Sequence, residues 1–317
     1  MQTGAGDLGH LTGLVRPNKA HSGHPPTSVL FPPPEPVTED AYLYKYLQHC
    51  FFSGSYAALY LHQKETESQS QHLTMKLVIS GATGFVATEL IRQSLSNSSI
   101  TSVVALARRP ITVPDNLGPE ADTSKLKTVV LEDFSKYPDD VRKQLENADA
   151  CIWTLAITPS KSKSMPWDEV YRVCHEYTMA GLKTTFESSK VASESTPFRF
   201  LYMSGIAAER DQTKTPRFMP KYSLMRGETE NQVLAFASSH PGKIEATVAK
   251  PGLITQPGSI HHWLRSTLLW YVISLPSISV VEIAAAMLDQ VVNGFEKDPL
   301  MNEDLVRIGQ RVLHESS

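Results

Sequence analysis

The sequence predicts an α/β fold, a doubly wound parallel sheet with helices on both faces, and three observations predict it. From Met75 onward, short apolar runs alternate with helical patterns. Each run is apolar almost throughout rather than at every second residue, which marks a strand covered on both faces. A glycine-bearing turn, Gly81-Ala82-Thr83-Gly84, joins the first run to the first helix.

The elements follow in order. Residues 76–80 read as a strand, and 85–95 as a helix with Phe85, Val86, Leu90, Ile91 and Leu95 at helical spacing. Residues 102–107, 128–131 and 149–154 supply the next three strands. A long helix is predicted over 167–188, a fifth strand over 198–203, a helix over 220–238 and a strand over 244–249. The last helix is announced by Ser279-Val280-Val281-Glu282, where a serine hydroxyl and a glutamate three residues on can cap each other's backbone.

Composition narrows the classes. The 317 residues are 41% hydrophobic, enough for an ordinary core, and the formal charge of −3 gives no reason to expect nucleic acid or an anionic membrane as partner. Cys50, Cys151 and Cys174 are far apart, odd in number and without CxxC spacing, which argues against a disulfide framework or a zinc site and fits a reducing compartment, so a cytoplasmic location is expected. No apolar run reaches the ~18–20 residues of a spanning helix, because the nearest, 263–275, is broken by Arg265 and stopped by Pro276.

The first forty residues are crowded with breakers, among them Pro17, Pro25, Pro26, Pro32, Pro33, Pro34 and Pro36. Residues 41–61 are aromatic-rich without a sustained helical period, and 63–74 form a polar tether. His21 and His24 have ligand-like spacing but no further ligands beside them, so no metal is expected. The expectation is a Pro-rich, disordered extension over 1–74 and a nucleotide-binding domain over 75–317. Met75 directly precedes the first strand, so the working protein is expected to start there.

The turn after the first strand carries the chemistry. A diphosphate must approach the backbone closely, so side chains must be absent where it sits, and a helix start then offers free N–H groups and a positive dipole end. Gly81, Thr83, Gly84, Phe85 and Val86 stand where that requirement falls, with small Ala87 allowing the helix to pack on its strand. The competing reading is a turn that merely connects. At the end of the second strand an NAD site usually places an acid on the ribose 2′-hydroxyl. Here Arg108 and Arg109 stand instead, suited to a 2′-phosphate, so NADP(H) is expected ahead of NAD(H); the alternative is a solvated basic loop. By position, Asp133 and Phe134 would flank the adenine, while Leu155 and Ala156 would line the cofactor path.

Tyr222 and Arg226, four apart on a predicted helix, share a face. A phenol there can donate a proton to a carbonyl that receives hydride, and a fixed cation beside it is expected to lower its pKa. Ser204, ending the fifth strand, could polarise the same carbonyl. The bland alternatives are a core tyrosine, a surface pair of Arg226 with Glu230, and a strand-end serine.

Together, Gly81-Ala82-Thr83-Gly84, Arg108-Arg109-Pro110, Ser204, Tyr222, Arg226-Gly227-Glu228 and Lys250-Pro251-Gly252-Leu253 resemble the atypical short-chain dehydrogenase/reductase superfamily. The resemblance is to the Tat-interacting oxidoreductase group, with NmrA-like proteins as cousins. Residues 280–288 and 302–309 are similar to that group's tail, and the likeness spans about 75–312. It implies a Rossmann fold with a small C-terminal substrate lobe from about residue 251, NADP(H) bound in part by Pro251 and Gly252, and a Ser/Tyr/Lys catalytic set. The chain departs at the lysine position, which holds Arg226. Arginine keeps the charge but cannot surrender a proton.

The predicted lobe offers His261, His262, Trp263, Trp270 and Tyr271, read as an apolar substrate pocket or as an amphipathic helix. Two functions follow: an NADP(H)-dependent oxidoreductase acting on a small carbonyl or hydroxyl compound, or a non-catalytic NADP(H) sensor that binds another protein. A sugar-nucleotide epimerase would need room for a second nucleotide and is least favoured.

Overall fold

The computed structural model describes residues 75–189, 196–256 and 275–315. Expectations for residues 1–74, and for His261, His262, Trp263, Trp270 and Tyr271, fall outside the described residues.

The chain enters through β1 (Met75–Ser80), turns at the glycines, and continues into α1 (Phe85–Ser96) and β2 (Ile100–Ala107). Then come β3 (Leu126–Val130), α2 (Asp139–Leu145), β4 (Ala150–Trp153) and the short α3 (Pro159–Ser162). A composite helix follows, made of α4 (Trp167–Tyr171), a π turn (Arg172–Glu176) and α5 (Tyr177–Glu187). Next are β5 (Phe198–Met203), α6 (Pro220–Ser238), β6 (Ile244–Lys250), β7 (Leu253–Thr255) and β8 (Ser277–Ser279). The described chain closes with α7 (Val280–Asn293), β9 (Leu300–Met301) and α8 (Asn302–Glu315).

Seven strands form one parallel sheet in the order β3-β2-β1-β4-β5-β6-β9. The order reverses between β1 and β4, and such a switch point opens a crevice beyond the strands' carboxyl ends. Both faces are apolar because both are covered. Leu77 and Ile79 pack with Leu90 and Ile91 of α1 and Met287 and Val291 of α7. Val78, Cys151 and Trp153 pack on the opposite face with Tyr177, Leu182 and Val233. That is the doubly wound arrangement the apolar strands imply.

One feature differs from the sequence expectation. The predicted helix over 167–188 is not uniform, since the π turn inserts one residue and carries Cys174 and His175, both buried. Such insertions leave no mark on a 3.6-residue pattern. Among the described residues after 251, β9 pairs with β6 and α7 shares its core with α1, while β7 and β8 form a separate two-stranded sheet. The start of α7 carries the expected capping box: the Glu282 N–H donates to Ser279 Oγ at 3.1 Å, and the Ser279 N–H donates to Glu282 Oε2 at 2.9 Å.

Candidate functional site

The glycine turn sits at the switch point. Gly81 has φ +70°, a left-handed conformation that penalises any side chain. A Cβ there would also lie 3.0 Å from the Leu155 backbone and from Thr154 Oγ1. The Gly84 N–H closes the turn on the Gly81 carbonyl at 2.8 Å. No side chain caps α1 and no acid stands in its first turn, so among the described residues none competes there with an anion for the helix start. Thr83, Gly84 and Phe85 are exposed while Val86 is buried beneath them. An uncapped helix start with Thr83, Gly84 and Phe85 exposed at its mouth fits a diphosphate.

A brace that sequence reasoning missed holds the turn in place. The Thr154 hydroxyl donates to the Ser80 carbonyl at 2.6 Å, and the Thr154 N–H donates to Ser80 Oγ at 3.1 Å. These bonds lock the end of β4 to the end of β1. Small hydroxyl residues at both strand ends were the available signal.

Arg108 and Arg109 are exposed at the end of β2, and neither forms an ion pair with another described residue. Asp133 is exposed, and its carboxylate accepts from the Ser135 hydroxyl and N–H. Those bonds, with a further contact from Tyr177, hold it below the usual carboxylate range. Phe134 lies elsewhere in character. Its ring is fully buried, 5.9 Å from both Trp153 and Tyr177, so only main chain remains to flank an adenine. Leu155 and Ala156 are partly buried beside the turn.

Tyr222 and Arg226 bond to main chain just beyond β4 and at the end of β5, and Ser204 directly follows β5. Tyr222, in the first turn of α6, donates its phenol proton to the Ile157 carbonyl at 2.8 Å. Ile157 stands two residues beyond Leu155, whose backbone abuts Gly81. Burial pushes the Tyr222 phenol above its ordinary value; Arg226 pulls it down and Cys174 adds to the rise. The neighbouring cation acts in the expected direction, but desolvation outweighs the charge and the net shift is upward.

Arg226 is only 4% exposed. Its Nη2 donates to the Met203 carbonyl at 2.7 Å, and its guanidinium lies 5.0 Å from the centre of the Tyr202 ring. The surface pair with Glu230 does not form. Glu230 is fully buried and instead accepts from Arg210 Nε at 2.7 Å and Lys250 Nζ at 3.0 Å on the same oxygen. Ser204 is fixed by its N–H to the Ala249 carbonyl at 2.8 Å. Among the described residues, Ser204 Oγ and Arg226 Nη1 are buried polar atoms without a hydrogen-bond partner. A buried open donor is costly unless something binds there.

Pro251 and Gly252 are committed within the protein. The Pro251 carbonyl accepts from Ile206 N–H at 3.0 Å, and the Gly252 N–H donates to Asn302 Oδ1 at 2.9 Å. Among the described residues no group of three or more metal-ligating side chains occurs, and no helix is long and apolar enough to cross a membrane.

Over 250 residues the chain is 22% identical to "Protein FMP52, mitochondrial" of Candida albicans, covering 74% of this chain and 98% of that one. Among solved structures, the PhqB reductase domain from Penicillium fellutanum superposes with a TM-score of 0.53 at 18% identity, covering 78% and 72% of the two chains. Vestitone reductase from alfalfa (Medicago sativa) gives 0.52 at 19% identity, covering 71% and 76%. The two structural likenesses are likenesses of fold. The profile of the NAD(P)H-binding family matches residues 81–292, from the first glycine of the turn to the end of α7. The chain therefore belongs to the NAD(P)H-binding family of Rossmann-fold proteins.

Proposed function

We propose that the protein is an NADP(H)-dependent oxidoreductase of the short-chain type, acting on a small carbonyl or hydroxyl compound with Tyr222 as the proton-transferring group. One observation carries the reading. A buried phenol is held at the carboxyl edge of the sheet by Ile157, in the same connection whose Leu155 backbone packs against the Gly81 turn. A proton donor and a diphosphate cradle thus share one short segment.

When bound, the nicotinamide nucleotide supplies or accepts the hydride. Gly81, Thr83, Gly84, Phe85 and Val86 would hold its diphosphate, and Arg108 and Arg109 a 2′-phosphate. The main chain of Asp133 and Phe134, with Leu155 and Ala156, would border the remainder. Tyr222 transfers its proton to the substrate oxygen, leaving the Ile157 carbonyl as it does so. Ser204 Oγ, which has no hydrogen-bond partner among the described residues, polarises that oxygen. Arg226 stays charged throughout and stabilises negative charge developing beside it, without relaying a proton.

The test is NADPH oxidation against a panel of carbonyl compounds. We expect turnover that falls at least ~100-fold in Tyr222→Phe while NADPH affinity is kept. No oxidation with any compound, and none gained by Arg226→Lys, would overturn the reading.

A second reading has its own support. Arg226 is buried against Met203 and the Tyr222 proton is already engaged, an arrangement that also suits a non-catalytic sensor of the NADP(H) state. That reading requires tight cofactor binding without turnover, and a protein partner held in only one cofactor state. We expect the protein in the cytoplasm; fractionation of cells that places it in mitochondria, where its Candida albicans relative is named, would revise this.

A further inference from the structure

The π turn reaches two parts of the site at once. On one side His175 Nδ1 lies 2.9 Å from Thr229 Oγ1. The Thr229 hydroxyl gives its only proton to the Met225 carbonyl at 2.9 Å, so Nδ1 carries the hydrogen and donates. This bond ties the turn to α6, the helix that bears Tyr222. On the other side Cys174 brackets Ile157. The Ile157 N–H donates to Cys174 Sγ at 3.2 Å, and the thiol donates to the Ile157 carbonyl at 3.7 Å. That carbonyl is the one receiving the Tyr222 phenol.

A phenol has one proton to give. While it rests on Ile157, the same proton is unavailable to a substrate oxygen, and the firmness of Ile157 decides how readily it is released. We propose that Cys174 is a positioning residue: by clamping both polar atoms of Ile157 it fixes the carbonyl on which Tyr222 rests its proton, and so sets that group's readiness to react. The inference rests on Tyr222 being the proton-transferring group.

Among the described residues, the titratable and charged groups around the phenol are Arg226 on its own helix, Cys174 on the π turn and Tyr202 on β5. A bond donated by the neutral phenol favours the protonated form, so loosening Ile157 lowers the pH at which Tyr222 ionises. Water entering the loosened connection would act in the same direction.

The experiment uses the full chain without cofactor or substrate, carrying a fluorinated tyrosine at position 222. Ring fluorines bring ionisation into the range where the fold is intact and report it by fluorine NMR. Cys174→Ala and Cys174→Val both remove the thiol, the second while filling its space, so a folded variant is available for reading. Cys174→Ser restores a donor and an acceptor. We expect ionisation about one pH unit lower in the apolar variants, a tenfold change in the dissociation constant. The Ile157 amide should exchange faster with solvent in them, and Cys174→Ser should return both readings toward wild type. Unchanged ionisation in a folded apolar variant would overturn the proposal, as would a serine variant that shifts as far as alanine. Absence of turnover in the wild-type protein would instead remove the oxidoreductase reading, and the titration is independent of it.

Discussion

Arg226 and the pair Arg108/Arg109 are the same residue type in opposite circumstances, and burial decides what each can do. Arg226 is enclosed, bonded to Met203 and stacked on Tyr202, so its charge serves the interior. Replacing its neighbour Glu230 would be a poor probe of function. That carboxylate is fully buried between Arg210 and Lys250, and breaking such a group typically costs ~3–5 kcal/mol of stability. Arg108 and Arg109 stand in solvent at the end of β2 and can be removed cheaply. A fluorescence titration is expected to give NADPH a preference over NADH of at least ~10-fold, about 1.4 kcal/mol, which collapses in the double alanine variant. Equal affinities in the wild type would refute the 2′-phosphate assignment. The arginines were legible because charge type is written in the sequence. The role of Ile157 was not, since it acts through a carbonyl that every residue possesses.

α6 shows how one element joins site and scaffold. Its first two turns carry Tyr222 and Arg226, and its middle receives the 205–219 connection at Gly227. A Cβ on Gly227 would overlap the main chain of Glu209, so the glycine exists for close approach. Backbone cannot yield as a side-chain tip can. Gly227→Ala is expected to lower stability by ~1–3 kcal/mol, read as an earlier urea midpoint, and to loosen the Tyr222 end of the helix. An unchanged midpoint would mean that the connection moves freely. The sequence placed this helix over roughly 220–238, and the structure has it over Pro220–Ser238. It did not reveal Gly227's neighbour, fifteen or more residues away along the chain. The π turn escaped notice for a related reason: its inserted residue is stabilised by contacts to Ile157 and Thr229, both remote in sequence.

Taken as a whole, the molecule buries several acids of high ordinary pKa. Burial raises the phenols of Tyr137, Tyr202 and Tyr222 and the thiol of Cys151 above their unfolded values. The fold therefore holds these protons more tightly than the unfolded chain does. Their contribution to stability is complete below the unfolded values, about pH 9 for the thiol and about pH 10 for the phenols, and is lost as pH rises from there toward the folded values. Each group can remove up to ~1.4 kcal/mol per pH unit across that window. Urea unfolding at stepped pH should show stability level near pH 8 and falling steeply above about pH 10. A flat profile through pH 11 would contradict the burial of these groups.

What the sequence by itself determined was the alternation of strands and helices, the parallel sheet, and the place of the glycine turn. All three follow from local causes: continuous apolar runs, helical spacing, and positions where no side chain fits. Only the tertiary structure decided which face the Tyr222 proton meets, that desolvation outweighs Arg226 in setting its acidity, and that Glu230 turns to Lys250 and Arg210. These depend on burial and on partners brought together from separate elements, and no local pattern encodes how deep a side chain will lie or whose backbone it will find.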